Sequence, residues 1–341
     1  MKLVEPITAI DFRPGQRPIL VVAIDAEEEF DWRTFSPTEI SVENIAVQQL
    51  AHRAYERHRI RPIYLVDYPV ADQPAGSGPL LEMLQDGACD IGAQLHPWVN
   101  PPLGEKLDAT NSFPGNLDVA IEQAKLTRLT DRIEDAFGRR PTDYRAGRYG
   151  FGPHTTDLLA ALDYQTDLTF LTHTDLRRDG GPDFRAYGPQ PFWFGPTGDL
   201  LEIPVTIGMP GLLSGLGPLL HGPLTSPLGR SLHLPGLFAR SGLLNRVRLS
   251  PEGVPVDEAM AVTRWLYARG QRIFVMSYHT SSLLLGKTPF VRTQDDRARF
   301  LDWIEQFTDF FMGEMNGLNL TPGEVYQGLR RQKEQGPALL S

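Results

Sequence analysis

The chain has one cysteine, Cys89, in 341 residues. That excludes a disulfide framework and a cysteine-rich zinc site. Positive charge is also in short supply, with 33 Lys and Arg against 42 Asp and Glu and a formal net charge of −9. A general grip on a phosphate backbone needs clustered cations, so nucleic acid is not an expected partner. No stretch approaches the ~18 uninterrupted apolar residues of a membrane-spanning helix. The opening residues MKLVEPITAIDFRPGQRPILVV contain no positive segment followed by an apolar run and a small-residue cleavage site. The expectation is a soluble, cytoplasmic protein without a transmembrane segment. No repeat or low-complexity linker divides the chain, so residues 1–341 are expected to form one domain.

What is present is ordinary globular material, 41% hydrophobic and 22% charged. Short β-branched runs bounded by turn residues predict about seven strands, near 19–25, 62–67, 90–95, 142–146, 164–168, 200–206 and 272–278. Several are almost continuously apolar, as strands covered on both faces are. Between them, Leu117, Ile121, Leu129, Ile133 and Phe137 recur at helical steps, and 39–58 and 255–269 are similar. Thr293 to Asp296 and Thr321 to Glu324 read as capping boxes that open C-terminal helices from about 293. Alternating strands and helices imply an α/β fold around a parallel sheet, open or closed. The segment 208–249 mixes Leu with frequent Gly and Pro, which excludes one long helix. It reads as an insertion after the sixth strand, suited to covering a pocket mouth or touching a lipid-linked substrate.

Polar residues gather where these strands end. The first finishes in Asp25-Ala26-Glu27-Glu28-Glu29, the third in His96, the fourth in Arg145 and Arg148, and the last in His279, while the sixth carries Glu202. Ligands of parallel α/β folds bind beyond the carboxyl ends of the strands. Asp25 and Glu27, two apart, point the same way on extended backbone. Taken alone, each group has a structural reading too: a solvated acidic turn, a buried structural histidine, surface arginines. Trp32, Trp98 and Tyr149 flank these groups and suit either sugar rings or ordinary packing.

In order along residues 18–285, AIDAEEEFDW, DIGAQLHPWVNPP, YRAGRYG and VMSYHTSSL resemble the four motifs of the polysaccharide deacetylase family (NodB-type, carbohydrate esterase 4). LDYQTD and LLEIPVT resemble the short stretches between the third and the last. The similarity is closest to a bacterial subgroup of deacetylases associated with lipopolysaccharide biosynthesis. The resemblance implies a distorted (β/α)7 barrel and one divalent metal ion, with Zn2+ the expected identity. The implied reaction removes an N-linked or O-linked acyl group from an amino-sugar or oligosaccharide substrate, nucleotide- or lipid-linked, in surface polysaccharide assembly. It casts Asp25 as the base, and Glu27, His96 and Asn100 as metal ligands. Arg145 would orient the catalytic carboxylate, the Tyr149 backbone N–H would face the oxyanion, and His279 would be the acid. Asp167 and Glu202 would position His279 or a neighbouring arginine.

The sequence departs from the family at one point. Asn100 stands four residues after His96 where a second histidine is usual, and Gln94 stands where the first often lies. Asn can still ligate through its carbonyl oxygen. Two other readings follow: a non-catalytic carbohydrate-binding relative that has lost the metal, and a hydrolase of a non-sugar amide on the same barrel. A glycosidase using Asp25 and Glu202 would need no metal.

Overall fold

The computed structural model describes residues 3–5, 8–10, 12, 15–29 and 40–335. Seven parallel strands form the frame: β1 (Ile19–Ala26), β2 (Ile63–Val66), β3 (Asp90–Leu95), β4 (Asp143–Ala146), β5 (Thr166–Asp167), β6 (Leu200–Glu202) and β7 (Ile273–His279). They lie side by side in the order β6-β5-β4-β3-β2-β1-β7. The last strand therefore returns beside the first and curls the sheet into a distorted barrel, the architecture expected from the sequence. Between β6 and β7 no ladder closes the wall. There the Thr206 hydroxyl accepts from Val275 N at 2.8 Å, and Ser277 N donates to Leu249 O at 3.1 Å.

Side-chain parity assigns the two faces. Along β1, Ile19, Val21 and Ala23 pack inward with Ile63, Leu65, Leu168, Leu201, Ile273 and Val275. Leu20, Val22, Ile24 and Ala26 pack outward into the larger helix-covered core. Inward parity continues to Asp25 and, past the strand, to Glu27. Gly92 belongs to the crowded interior as well. A Cβ there would lie 2.8 Å from both the Leu65 side chain and the Asp143 carbonyl oxygen.

Helices Val119–Phe137 and Val256–Tyr267 form where the periodicity predicts them, and Thr293 completes a capping box with Asp296 before Gln294–Asp309. The 39–58 pattern breaks into a 3-10 turn, Glu43–Ile45, and a shorter helix, Gln49–Glu56. Small strands Thr8–Ala9, Phe192–Phe194 and Leu318–Asn319 add to the sheet. At two or three residues each, they are too short to show a period.

The 208–249 insertion folds into three short helices, Gly217–Leu224, Pro227–Ser231 and Leu234–Arg240. They close over a small core of Met209, Leu224 and Leu244. Leu212, Leu219 and Leu228 remain mostly exposed. Among the described residues, no helix is long and apolar enough to cross a membrane.

Candidate active site

The carboxyl ends of β1 and β7 place the first two groups. In the parallel ladder His279 is the register partner of Asp25. Its Nε2 lies 3.8 Å from Asp25 Oδ2, while Arg145, delivered by β4, donates from Nη1 to Asp25 Oδ1 at 2.6 Å. Arg145 and Asp25 are both buried, and Arg145 Nε donates to the Leu168 carbonyl at 2.9 Å, which fixes the guanidinium.

The other face of His279 is held by a residue the sequence reading passed over. Both carboxylate oxygens of Glu252 reach His279 Nδ1, at 3.0 and 2.9 Å, and one also accepts from the His279 backbone N–H at 3.0 Å. Ser282 Oγ donates to the same carboxylate at 2.6 Å. Burial works against the imidazolium, but the Glu252 charge and hydrogen bond outweigh it, and the His279 pKa is raised. In the same way burial alone would lift the Glu252 pKa, yet the histidine pulls it below the usual glutamate value. Glu252 lies in a loop of bends before Val256–Tyr267, where no motif or period marks it.

His96 follows β3 and is fully buried. Its Nδ1 faces Glu28 Oε2 at 2.9 Å and Asp67 Oδ2 at 3.8 Å, and its Nε2 faces Glu27 Oε2 at 3.6 Å. Trp98, equally buried, stacks on the ring with centroids 4.4 Å apart and donates from Nε1 to Glu28 Oε1 at 2.6 Å. It serves the histidine rather than offering a face to a sugar. Trp32, with Phe30 and Asp31 of the first motif, lies outside the described residues. Asp67 caps the next helix through Val70 N and accepts from Glu28 N at 2.6 Å. Gly147 gives the ring its room. A Cβ there would come within 2.4 Å of both His96 Cδ2 and the Leu95 carbonyl oxygen.

Glu28, Asp67 and His96 form a buried group able to hold a metal ion, each offering a ligand atom within 4.8 Å of the others. The wider acid cluster points the same way. Burial, then the charges of Asp25, Glu28, Asp67 and Glu252, push Glu27 well above its ordinary value, and burial and Glu28 do the same to Asp67. Burial lowers His96 to about 4, which leaves the ring neutral and able to ligate. In this cluster Glu27 Oε1 and Asp25 Oδ2 are buried without a hydrogen-bond partner among the described residues; Asn100 Oδ1, in the loop after His96, is likewise unpartnered among them. Clustered carboxylates, a neutral imidazole and orphaned oxygens are a donor set that a divalent cation would satisfy.

Asn100 is placed by the loop after His96. Its amide nitrogen donates to the Pro101 and Lys125 carbonyls at 2.7 and 2.9 Å. Lys125 in turn ties down the carbonyls of Pro97, Asn100 and Pro102 and pairs with Glu105 at 2.8 Å.

Arg148 and Tyr149 adopt left-handed backbone, φ 53° and 60°, a strained turn directly after β4. The Arg148 side chain turns away to Ser112 and lies over the Phe113 ring. The Tyr149 hydroxyl accepts from Arg248 Nη2 at 2.5 Å. Asp167 and Glu202 are register partners on β5 and β6 and form a buried carboxyl pair beside Arg145, rather than partners of His279. Glu202 is spent on the Phe170 backbone N–H at 3.0 Å.

No family profile and no curated protein sequence matches the chain. Solved structures do. A Mycobacterium smegmatis protein assigned as a polysaccharide deacetylase aligns over 99% of this chain and 98% of its own, at TM-score 0.58 and 15% identity. A probable polysaccharide deacetylase from Pseudomonas aeruginosa PAO1 aligns over 95% and 93%, at TM-score 0.52 and 14% identity. Puue allantoinase aligns over 96% and 94%, at TM-score 0.51 and 14% identity. The chain thus shares its fold with these proteins.

Proposed function

We propose that this chain is a metal-dependent deacetylase that removes an acyl group from an amino sugar destined for surface polysaccharide, lipopolysaccharide included. The observation that carries the proposal is Asp25, set between Arg145 and His279 with Glu27 and His96 beside it. That arrangement joins a base, an acid and a cation site at the carboxyl ends of neighbouring strands, the three parts that metal-assisted amide hydrolysis uses. The fold similarity to proteins assigned as polysaccharide deacetylases supports the same reading.

The residues divide the work as follows. Glu27 and His96, through Nε2, would hold the cation, and Asn100 would be the further donor from the loop after His96. Glu28 orients the imidazole through Nδ1 and fixes its tautomer, as carboxylates behind ligating histidines do. When bound, a divalent ion supplies Lewis acidity and makes water a stronger acid. Asp25 takes the water's proton through Oδ2, the oxygen that Arg145 leaves open. The Tyr149 backbone N–H faces the developing oxyanion. His279, protonated on the strength of Glu252, delivers a proton from Nε2 to the departing amine.

The test is amine release from a panel of N-acetylated and N-formylated amino sugars, run with wild-type protein, with chelator, and with Asp25→Asn. Release that needs metal and Asp25 is expected. Chelator-insensitive glycoside cleavage, or hydrolysis confined to ureide amides, would overturn the sugar deacetylase reading.

A further inference from the structure

A cavity of 770 Å³ lies between the loop around 171–179 and the insertion. Arg178, Arg230, Arg246 and Arg248 line it, together with His221. Asp175 and Asp179 line it too; Asp175 is engaged by Arg177 at 2.8 Å, and Asp179 is exposed to solvent. None of the four arginines has a carboxylate ion pair among the described residues. Arg246 donates to the Thr174 hydroxyl at 2.8 Å, and Arg248 to the hydroxyls of Tyr149 and Ser277. The Nε atoms of Arg246 and Arg248 are buried without a hydrogen-bond partner among the described residues.

In a chain of net charge −9, four arginines sharing one cavity run against the overall balance. Arg246 is desolvated beside Arg248 with no carboxylate of its own, which is costly; with the exposed Arg178 and Arg230 at the same cavity, the arrangement calls for an anion. Burial and then Arg248 lower the Arg246 pKa to about 10, which leaves it charged at neutral pH. Burial, Arg246 and Arg230 lower His221 to about 4, so it faces the cavity as a neutral hydrogen-bonding group. Guanidinium forks match phosphate oxygens better than any other cation in proteins.

Arg248 links this cavity to the candidate active site. It also lines a neighbouring cavity of 610 Å³ that contains Glu252 and His279. A group held by the arginines is therefore one side chain away from the acid.

We propose that the arginine cavity binds the phosphate of a phosphorylated carrier on the substrate, so that the acyl sugar reaches His279 while its phosphate rests on Arg178, Arg230, Arg246 and Arg248. Placing the ligand as part of the substrate rests on the deacetylase reading; the anion site itself does not. A lipid phosphate and a nucleoside diphosphate present the same chemistry to these side chains.

Calorimetric titration tests this with three probes: inorganic pyrophosphate, uridine diphosphate and dodecyl phosphate. The proteins are wild type, Arg246→Gln, the exposed pair Arg178→Ala/Arg230→Ala, and His96→Ala. At least one probe is expected to bind wild type at one site. Affinity should fall about tenfold or more in Arg246→Gln, the loss of one charge-assisted bond, and severalfold in the exposed pair, which has little reason to misfold. Binding should persist in His96→Ala, because the cavity is not the metal site. Tighter dodecyl phosphate would assign a lipid carrier and tighter uridine diphosphate a nucleotide. No binding by wild type, or equal binding by the arginine variants, overturns the proposal, as does binding lost in His96→Ala alone. Because no turnover is read, absence of amine release from acyl sugars would sink the deacetylase and leave this site standing.

Discussion

Asp25 and His279 face each other across one step of a parallel ladder, with Asp25 Oδ2 3.8 Å from His279 Nε2 and Asp25 Oδ1 already taken by Arg145. Each carboxylate oxygen therefore meets a different partner. On the proposed reading the pairing sets a proton acceptor beside a proton donor.

The Glu252–His279 pair sets a pH dependence. His279 has a raised pKa, so its imidazolium survives to higher pH, and the alkaline limb of kcat/KM reports its loss. Removing the Glu252 charge takes away the largest raising influence and leaves Asp25 alone to oppose burial and Arg248, which lower. In Glu252→Gln the alkaline limb should move down by about one pH unit or more, the scale of a close opposite charge. A pH–rate profile checks this, and an unmoved limb would show that His279 is not the acid. The pair's stabilising effect is full below about pH 6.5, the unfolded histidine value, and fades as pH rises through the raised folded value. On the acid side Glu252, whose pKa is lowered, contributes above about pH 4.3 and loses that contribution as pH falls.

Asp25→Asn and His279→Ala should each cut turnover about a hundredfold or more. Their stabilities should differ. Asp25→Asn removes the carboxylate ion-paired with buried Arg145 and leaves only the Asp167–Glu202 pair beside it, a cost of up to about 3–5 kcal/mol by the usual behaviour of broken buried pairs. His279→Ala, at the cavity edge, should cost much less. Urea unfolding alongside kinetics separates the two effects. A folded His279→Ala protein with full activity would return His279 to a packing role.

Metal content should fall far more in His96→Ala than in Asn100→Ala, since imidazole is the stronger ligand. Glu28→Gln should weaken metal affinity about 10–100-fold if it only orients the ring. Mass-spectrometric metal analysis at limiting free metal reads these three and Glu27→Gln. Metal abolished in Glu28→Gln but kept in Glu27→Gln would shift the ion to the Glu28–Asp67–His96 side.

Gly147→Ala should disturb the site without touching a charged group. The added methyl would meet His96 Cδ2 and the Leu95 carbonyl oxygen at 2.4 Å, and backbone cannot retreat as a flexible side chain can. A loss of about 1–3 kcal/mol is expected, with lower metal affinity as the ring is displaced. Thermal unfolding and metal titration unchanged from wild type would show that the ring does not depend on this gap.

The sequence by itself determined what local pattern can carry. Apolar runs marked the seven strands, and helical spacing marked Val119–Phe137 and Val256–Tyr267. Strand ends and side-chain parity brought Asp25, Glu27, His96, Arg145 and His279 forward, and the resemblance to a known family supplied their expected roles. Only the tertiary structure decided which groups meet. Glu252 came to His279 from an irregular loop with no period to reveal it. Trp98 went under His96 instead of lining a sugar site, and Asp167 and Glu202 paired with each other beside Arg145. Arginines from the 171–179 loop and from the 208–249 segment gathered into one cavity despite the chain's acidic balance. Such encounters depend on register between strands and on loop closure over long separations, neither of which a local pattern contains.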